Sequence, residues 1–351
     1  MHGCPNRCRH CYIGDPAAGR MTHDDLHWAA RQFREFLKHG EDKPFVEKLT
    51  VASCLREPDY SDDYEQLYEL EQELSDGPPA RHELLSIWRL ARDEKYAPWA
   101  KKIGPDTCQI SFFGLEEVQD WFCRRRGAFR DSLLATERLL DAGMKPRWQL
   151  FLTKKILPDL PGLMKLVDEM RLRERVRALG GDFVMFMHPP ALSGEGIHLA
   201  DIHATLSDIK LIPKELVESS RRHFGTENMW PTEAETLSRI LSGAEPAKPP
   251  YSYPEKLWFI VAANWDVYTN MGNQGSGAPC WILGNLKRDS LSNIIANFEE
   301  DRILPLRLNR PKVLREAARR YGNPHSRDIV NEIEGYWYER YCEAEWRRTR
   351  A

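Results

Sequence analysis

Short apolar runs alternate with amphipathic stretches of helical period through the first half of the chain. CQISFF (108–113) predicts a strand, and FRDSLLATERLLDAG (129–143) predicts a helix closed by Gly143. RWQLFLT (147–153) and DFVMFMH (182–188) predict two further strands, separated by a helical PDLPGLMKLVDEMRLRERVRAL. Upstream, Thr22 followed by Asp25 has the form of a capping box, with Gly40 as the helix stop. KLTVASC (48–54) predicts a buried strand, and a helical stretch broken at Gly77-Pro78-Pro79 runs to about residue 93. Strands alternating with helices place the chain in the α/β class, with parallel pairing and right-handed crossovers. Periodicity does not distinguish an open sheet from a closed barrel.

The pattern weakens between residues 189 and 256. PTEAETLSRILSG predicts a helix with Pro231 in its first turn, and AEPAKPPYSYP reads as a Pro-rich linker. LWFIVAAN and VYTNMG then predict a hairpin around Asn264-Trp265-Asp266, followed by PCWILGNL and a helix in SLSNIIANF. The last fifty residues read as helical, and no internal repeat is visible. These shifts divide the chain into a core (1–210), a helical and Pro-rich connection (211–256), an extension (257–300) and C-terminal helices (301–351).

Composition narrows the function classes. Hydrophobic residues make up 42% and charged residues 29% of 351, ordinary values for a globular protein. No run is apolar enough to span a bilayer and no signal-peptide core is present, so a cytoplasmic protein without membrane partners is expected. A net charge of −3 argues against a nucleic-acid partner. Arg124-Arg125-Arg126 is expected to be a solvated loop. Eight cysteines, most of them scattered, do not form a secreted disulfide framework.

The candidate chemistry begins at Cys4, Cys8 and Cys11, spaced C-x3-C-x2-C in GCPNRCRHCYIG. Structural zinc takes four closed ligands, so zinc would need completion by His2 or His10. Three thiolates suit an iron–sulfur cluster with one open iron position. Buried small hydrophobes are the plain alternative.

This segment resembles the cluster motif of the radical SAM enzymes. Three further stretches in the expected order carry the same resemblance. Glu57-Pro58 matches the end of the family's Gly-Gly-Glu-Pro, although Leu55-Arg56 replaces the glycines. QISFFGLEEVQDWFCRRRGAFRDSLLATERLLDAG is similar to the third strand and helix of members that modify peptides. NWDVYTNMGNQGSGAPCWILGNLKRDSLSNIIANF resembles the opening of a SPASM or twitch extension.

The resemblance implies a partial (β/α)6 TIM-type barrel with its site at the C-terminal strand ends. It implies a [4Fe-4S] cluster on Cys4, Cys8 and Cys11, with S-adenosyl-L-methionine as second cofactor. Glu57 would receive the cofactor's ammonium, Ser111 would face cofactor or substrate, and Thr153 or Gln149 would hold the ribose. Reductive cleavage would yield a 5′-deoxyadenosyl radical that takes hydrogen from a substrate, expected to be a peptide or protein side chain. A small molecule, or a non-catalytic metal-binding scaffold, are the alternatives.

A flavodoxin- or ferredoxin-type one-electron donor would be the partner. Phe112, Phe113 and Trp148 would suit a substrate pocket or a core, and His188 is a pocket candidate. Asp120 and Arg126 are expected to pair and fix a loop. Cys280 and Cys342 are too few for a four-thiolate auxiliary site, so the extension is expected to lack its cluster. Only three residues precede Cys4, so a late-assigned start or an absent first strand is expected.

Overall fold

In the central strands, residues alternate between a fully buried face and a partly exposed one, which fixes the layering of the molecule. The computed structural model describes residues 4–14, 19–37, 42–53, 57–77, 83–243, 258–268, 279–300, 302 and 311–350. Strands β1 (Thr107–Phe112), β2 (Lys145–Phe151) and β3 (Val184–His188) form a parallel sheet in the order β1-β2-β3. Ser111 lies opposite Gln149, and Phe151 opposite His188.

Cys108, Ile110, Phe112, Trp148 and Leu150 point to one face and are fully buried. Helices α6 (Ala128–Asp141) and α7 (Leu160–Glu169) contribute Ala135, Leu139, Leu160 and Leu163 to the same core. The other face is polar. Gln109 Nε2 donates to Gln149 Oε1 at 2.6 Å, and Arg147 donates to Gln109 Oε1 at 3.0 Å. Phe112 and Trp148 therefore belong to the core: their rings lie 4.2 Å apart, and the indole N–H donates to Thr136.

Of the six strands in a (β/α)6 barrel, three are present among the described residues. The outer edge of β3 is covered by other groups at Met187. Ser220, on α9 (Lys214–Phe224), accepts from the Met187 N–H, and Trp230 Nε1 donates to the Met187 carbonyl. The strand expected over 48–54 is also not formed in its described part, 48–53; Cys54 lies outside the described residues. Instead the N–H groups of Leu49, Val51 and Ser53 donate to side chains of Asp76, Ser75 and Glu71. These acceptors lie at and just beyond the end of α2 (Tyr64–Leu74). Donation from every second residue marks an extended chain, but its partners are helix-end side chains rather than a neighbouring strand.

Helix starts follow the sequence closely. The Thr22–Asp25 capping box opens α1 (His23–Glu35), although Gly40 lies outside the described residues. Gly143 closes α6 with φ +73°. The helix α10 (Glu233–Ser242) begins at a Thr232–Glu235 capping box, so Pro231 precedes the cap instead of occupying the first turn. The Pro-rich segment 244–254 lies outside the described residues, as do Pro78 and Pro79 of the expected break.

The expected hairpin forms from β4 (Ile260–Val261) and β5 (Asp266–Tyr268), with β6 (Gly284–Asn285) added antiparallel. Its far residues, 269–272, are not described. Trp265 sits in the tight connection at φ +72°. Val267, Leu283, Ile294 and Ile295 bury against Ala29 and Phe33 of α1, with α11 (Leu291–Glu299) completing the layer. Lys287 Nζ lies 3.8 Å from the Trp28 ring and 4.0 Å from Trp265, a cation–π clasp between α1 and this sheet. Helices α12 (Pro311–Tyr321) and α13 (Ile333–Arg348) form a further core around Ala317, Ala318, Trp337 and Cys342.

Candidate active site

The cysteine-bearing segment lies across the C-terminal ends of β1 and β2, where backbone bonds hold it from two sides. On one side, the Arg7 and Arg9 N–H groups donate to the carbonyls of Cys123 and Phe122 at 3.1 and 2.9 Å. These acceptors end α5 (Glu116–Cys123), whose last carbonyls have no partner within the helix. Arg9 Nε adds a bond to the Trp121 carbonyl, and its guanidinium lies 4.2 Å over the Trp121 ring. On the other side, the Glu195 N–H donates to the Cys11 carbonyl at 2.9 Å. Within the loop, Cys11 N–H donates to Cys8 and Gly14 N–H to Cys11.

Gly194 makes the second contact possible. At φ +53°, a Cβ on this residue would fall 2.6 Å from the Tyr12 carbonyl oxygen and closer still to that of Cys11. Only glycine allows the 3-10 helix Gly194–Ile202 to approach the loop backbone so closely. The arginine run is only partly a solvated loop: Arg124 and Arg126 are exposed, but two of the three arginines are also engaged. Arg124 pairs with Glu195 at 3.0 Å, while Arg125 pairs with Asp131 and donates to Asn6 Oδ1. Two of the three arginines thus brace the cysteine loop. The expected Asp120–Arg126 pair is replaced by a different device: Asp120 accepts from the Gly127 and Phe129 N–H groups at 2.6 and 3.0 Å, fixing the start of α6.

Cys4, Cys8 and Cys11 are all partly exposed on this loop. Among the described residues no three Cys, His, Asp or Glu side chains are gathered as a ready metal cage. What the fold positions is the loop backbone. Cys8 packs beside Phe113, Phe122, Phe151 and Leu199. His10, between the second and third cysteines, packs with tilted rings against Phe113 and Phe151, 4.5 Å from each. Burial, helped by nearby His188, holds its imidazole neutral, with the pKa down at about 3.

Four buried polar atoms at these strand ends have no partner: His10 Nδ1, Thr153 Oγ1, His188 Nδ1 and His203 Nε2. Thr153 is fully buried and forms an isolated β-bridge with His203, itself 2% exposed. Burial lowers the pKa of both His188 and His203. Such atoms cost about 1–3 kcal/mol each when left unpaired, so their gathering at one end of the sheet marks a place built to receive polar groups. Thr153 and His188 thus lie at the strand ends as the sequence indicates. Ser111 and Gln149 sit lower, on the polar face, with Ser111 Oγ 3.5 Å from Gln149 Oε1.

Glu57 is placed differently. Its Oε1 accepts from Ser86 Oγ and from the Trp88 N–H, both at 3.0 Å, at the start of α3 (Ile87–Arg92). Ser86 itself caps the Arg89 N–H. The carboxylate serves as a second cap on a buried helix start, and desolvation raises its pKa despite these bonds. Leu55 and Arg56 lie outside the described residues. Cys280 and Cys342 share the C-terminal core; burial pushes the Cys280 thiol up to about 12, and Cys342 is raised as well.

Three elements escaped the sequence reading. His203 comes from an irregular stretch without periodicity, and the role of His10 depends on rings from two distant strands. Gly194 carried a signal, the pair Gly194 and Gly196 in a polar loop, but no indication of what it approaches.

Residues 1–163 match the family model described as Radical SAM superfamily. The chain carries a radical SAM domain. Solved structures give the same fold at low identity. A structure described as native anSMEcpe with bound AdoMet and Kp18Cys peptide is 15% identical, with a TM-score of 0.51 over 99% of this chain and 95% of that one. The same protein with bound AdoMet alone, and with AdoMet and Cp18Cys peptide, gives 15% identity, the same coverage and a TM-score of 0.50 in each case. No curated protein matches the chain.

Residues 1–163 thus form a domain of the radical SAM class, whose enzymes use a [4Fe-4S] cluster and S-adenosylmethionine as cofactors. The residues present fit them: three thiols on a braced loop adjoin four unpaired polar atoms at the strand ends. No helix among the described residues is long and apolar enough to cross a membrane.

Proposed function

We propose that Cys4, Cys8 and Cys11 ligate the cluster and that the substrate is a peptide or protein side chain. The observation that carries the first part is the double bracing of the cysteine loop, from Cys123 and Phe122 on one side and Glu195 on the other. The three thiols would hold the cluster, which with S-adenosylmethionine would supply reductive radical chemistry at this site. Thr153 and His203 offer a hydroxyl and an imidazole nitrogen to the polar parts of that ligand. Ser111 and Gln149 would line the site below it, and Glu57 would reach the ligand only from its position at the start of α3. The packed rings of Phe113, Phe122 and Phe151 exclude water on the loop's inner side.

Two of the similar structures are described with a bound peptide, which supports the substrate class. A flavodoxin- or ferredoxin-type protein would supply the electron. Residues 1–210 would form the catalytic core and 257–300 a SPASM- or twitch-like cover lacking an auxiliary cluster. Anaerobic reconstitution tests the reading. Dithionite should drive 5′-deoxyadenosine formation that is lost in Cys8→Ala; a colourless preparation with stoichiometric zinc would overturn it.

A further inference from the structure

Away from the cysteine loop, a groove opens beside the first half of β3. It has a volume of about 460 Å³ and is walled by α8 (Leu172–Ala178) and α9. That volume falls in the range of ligand sites. Its floor is the outer edge of a strand.

The direction of that edge follows from the bonds at the strand's end. The His188 carbonyl accepts from Leu152 N–H, so residue 188 bonds inward to β2, whereas Met187 bonds outward to Ser220 and Trp230. By the two-residue period, Met185 also faces outward. At Met187 the edge is closed by side chains. At Met185, among the described residues, neither the N–H nor the C=O has a partner. Met185 is only 5% exposed, yet it lines the groove. An amide and a carbonyl left open on a strand edge form a template for one more strand.

The walls indicate the charge of such a strand. Arg173 is engaged with Glu215 at 2.5 Å. Arg177 and Arg222 are exposed and have no ion pair among the described residues, with Asp182 as the one opposing unpaired carboxylate in the lining. Two unspent guanidinium groups against one carboxylate favour an acidic partner.

The geometry points to a docking site for an extended acidic polypeptide segment, which adds to β3 at Met185 and places carboxylates against Arg177 and Arg222. Backbone bonds supply affinity and the arginines select charge, the mode of strand addition to a sheet edge. A small anion would use the Met185 N–H but leave its carbonyl unpaired, so an extended chain fits both groups better.

The site does not depend on the cluster chemistry and is tested separately from it. A fluorescein-labelled heptapeptide of alternating valine and glutamate is titrated with the purified protein and followed by anisotropy. Saturable binding is expected. It should weaken about ten-fold or more when lysine replaces glutamate, when the central amide of the peptide is N-methylated, and in the double variant Arg177→Glu, Arg222→Glu. Both substituted residues are exposed, and an unchanged melting curve confirms that the variant is folded. Absence of binding at millimolar peptide overturns the proposal, as does equal binding of the lysine peptide or an unaffected double variant. A concentration-dependent dimer abolished by the same two substitutions also overturns it, assigning the edge to a second copy. Formation of 5′-deoxyadenosine is measured in parallel, so a failed site and a failed radical reading remain distinguishable.

Discussion

At residue scale, Glu57 performs a structural task that its sequence neighbourhood does not announce. Burial raises its pKa, so the folded state takes up a proton more readily than the unfolded chain. That contribution to stability is full below the ordinary value of 4.5 and is lost as pH rises through the raised folded value. Glu57→Gln retains an acceptor for Ser86 and the Trp88 N–H without the buried charge. Its melting temperature at pH 7 should equal or exceed that of the parent, with the difference shrinking below pH 4.5. Glu57→Ala removes the acceptor and should cost about 1–3 kcal/mol in denaturant unfolding. If Glu57 also holds the cofactor ammonium, the Gln variant will be stable yet deficient in S-adenosylmethionine cleavage. The motif Glu57-Pro58 was legible, but a carboxylate's partner thirty residues away was not. Asp120 repeats the point: its proximity to Arg126 suggested an ion pair, while two backbone amides at the start of α6 claimed both oxygens.

At the scale of elements, starts and stops were the most legible features, because a capping box is a local arrangement of three or four residues. Thr22 and Gly143 behave as their sequences indicate, whereas α10 is capped by Thr232 and starts after Pro231 instead of including it. The 48–54 segment was misread because an alternating apolar run fixes an extended backbone, not the partner it bonds to. Leu49 and Val51 do pack inward, against a cluster that includes Leu26 and Leu67. The seating of the cysteine loop depends on the turn at Gly194, where a methyl group would collide with the carbonyls of Cys11 and Tyr12. Gly194→Ala should keep its far-UV circular dichroism but bind less iron on anaerobic reconstitution. Iron content equal to the parent's would show that the close approach does not matter for the loop.

At the scale of the molecule, the α/β class and parallel order were readable from the alternation of runs, whereas the cover on the β3 edge was not. Trp230 reaches Met187 from a stretch with little periodicity. The two C-terminal thiols lie in a sealed apolar core, and their raised pKa values keep them protonated. Chemical analysis should therefore find about four irons per reconstituted chain. Cys280→Ala should leave that number unchanged. About eight irons, or a loss on this substitution, would place a second cluster in the extension.

The packing of α1 against β5, β6 and α11 also bears on the order of biosynthesis. The cover of Ala29 and Phe33, formed by Val267, Leu283 and Ile295, is translated 234 to 266 residues after them. At about 5–20 residues per second, that interval is on the order of ten seconds or more. For that time α1 lacks this cover, whereas the braces of the cysteine loop, Phe122, Cys123 and Glu195, are already synthesised. The thiols can therefore be seated, and can meet metal, before the later sheet closes over α1.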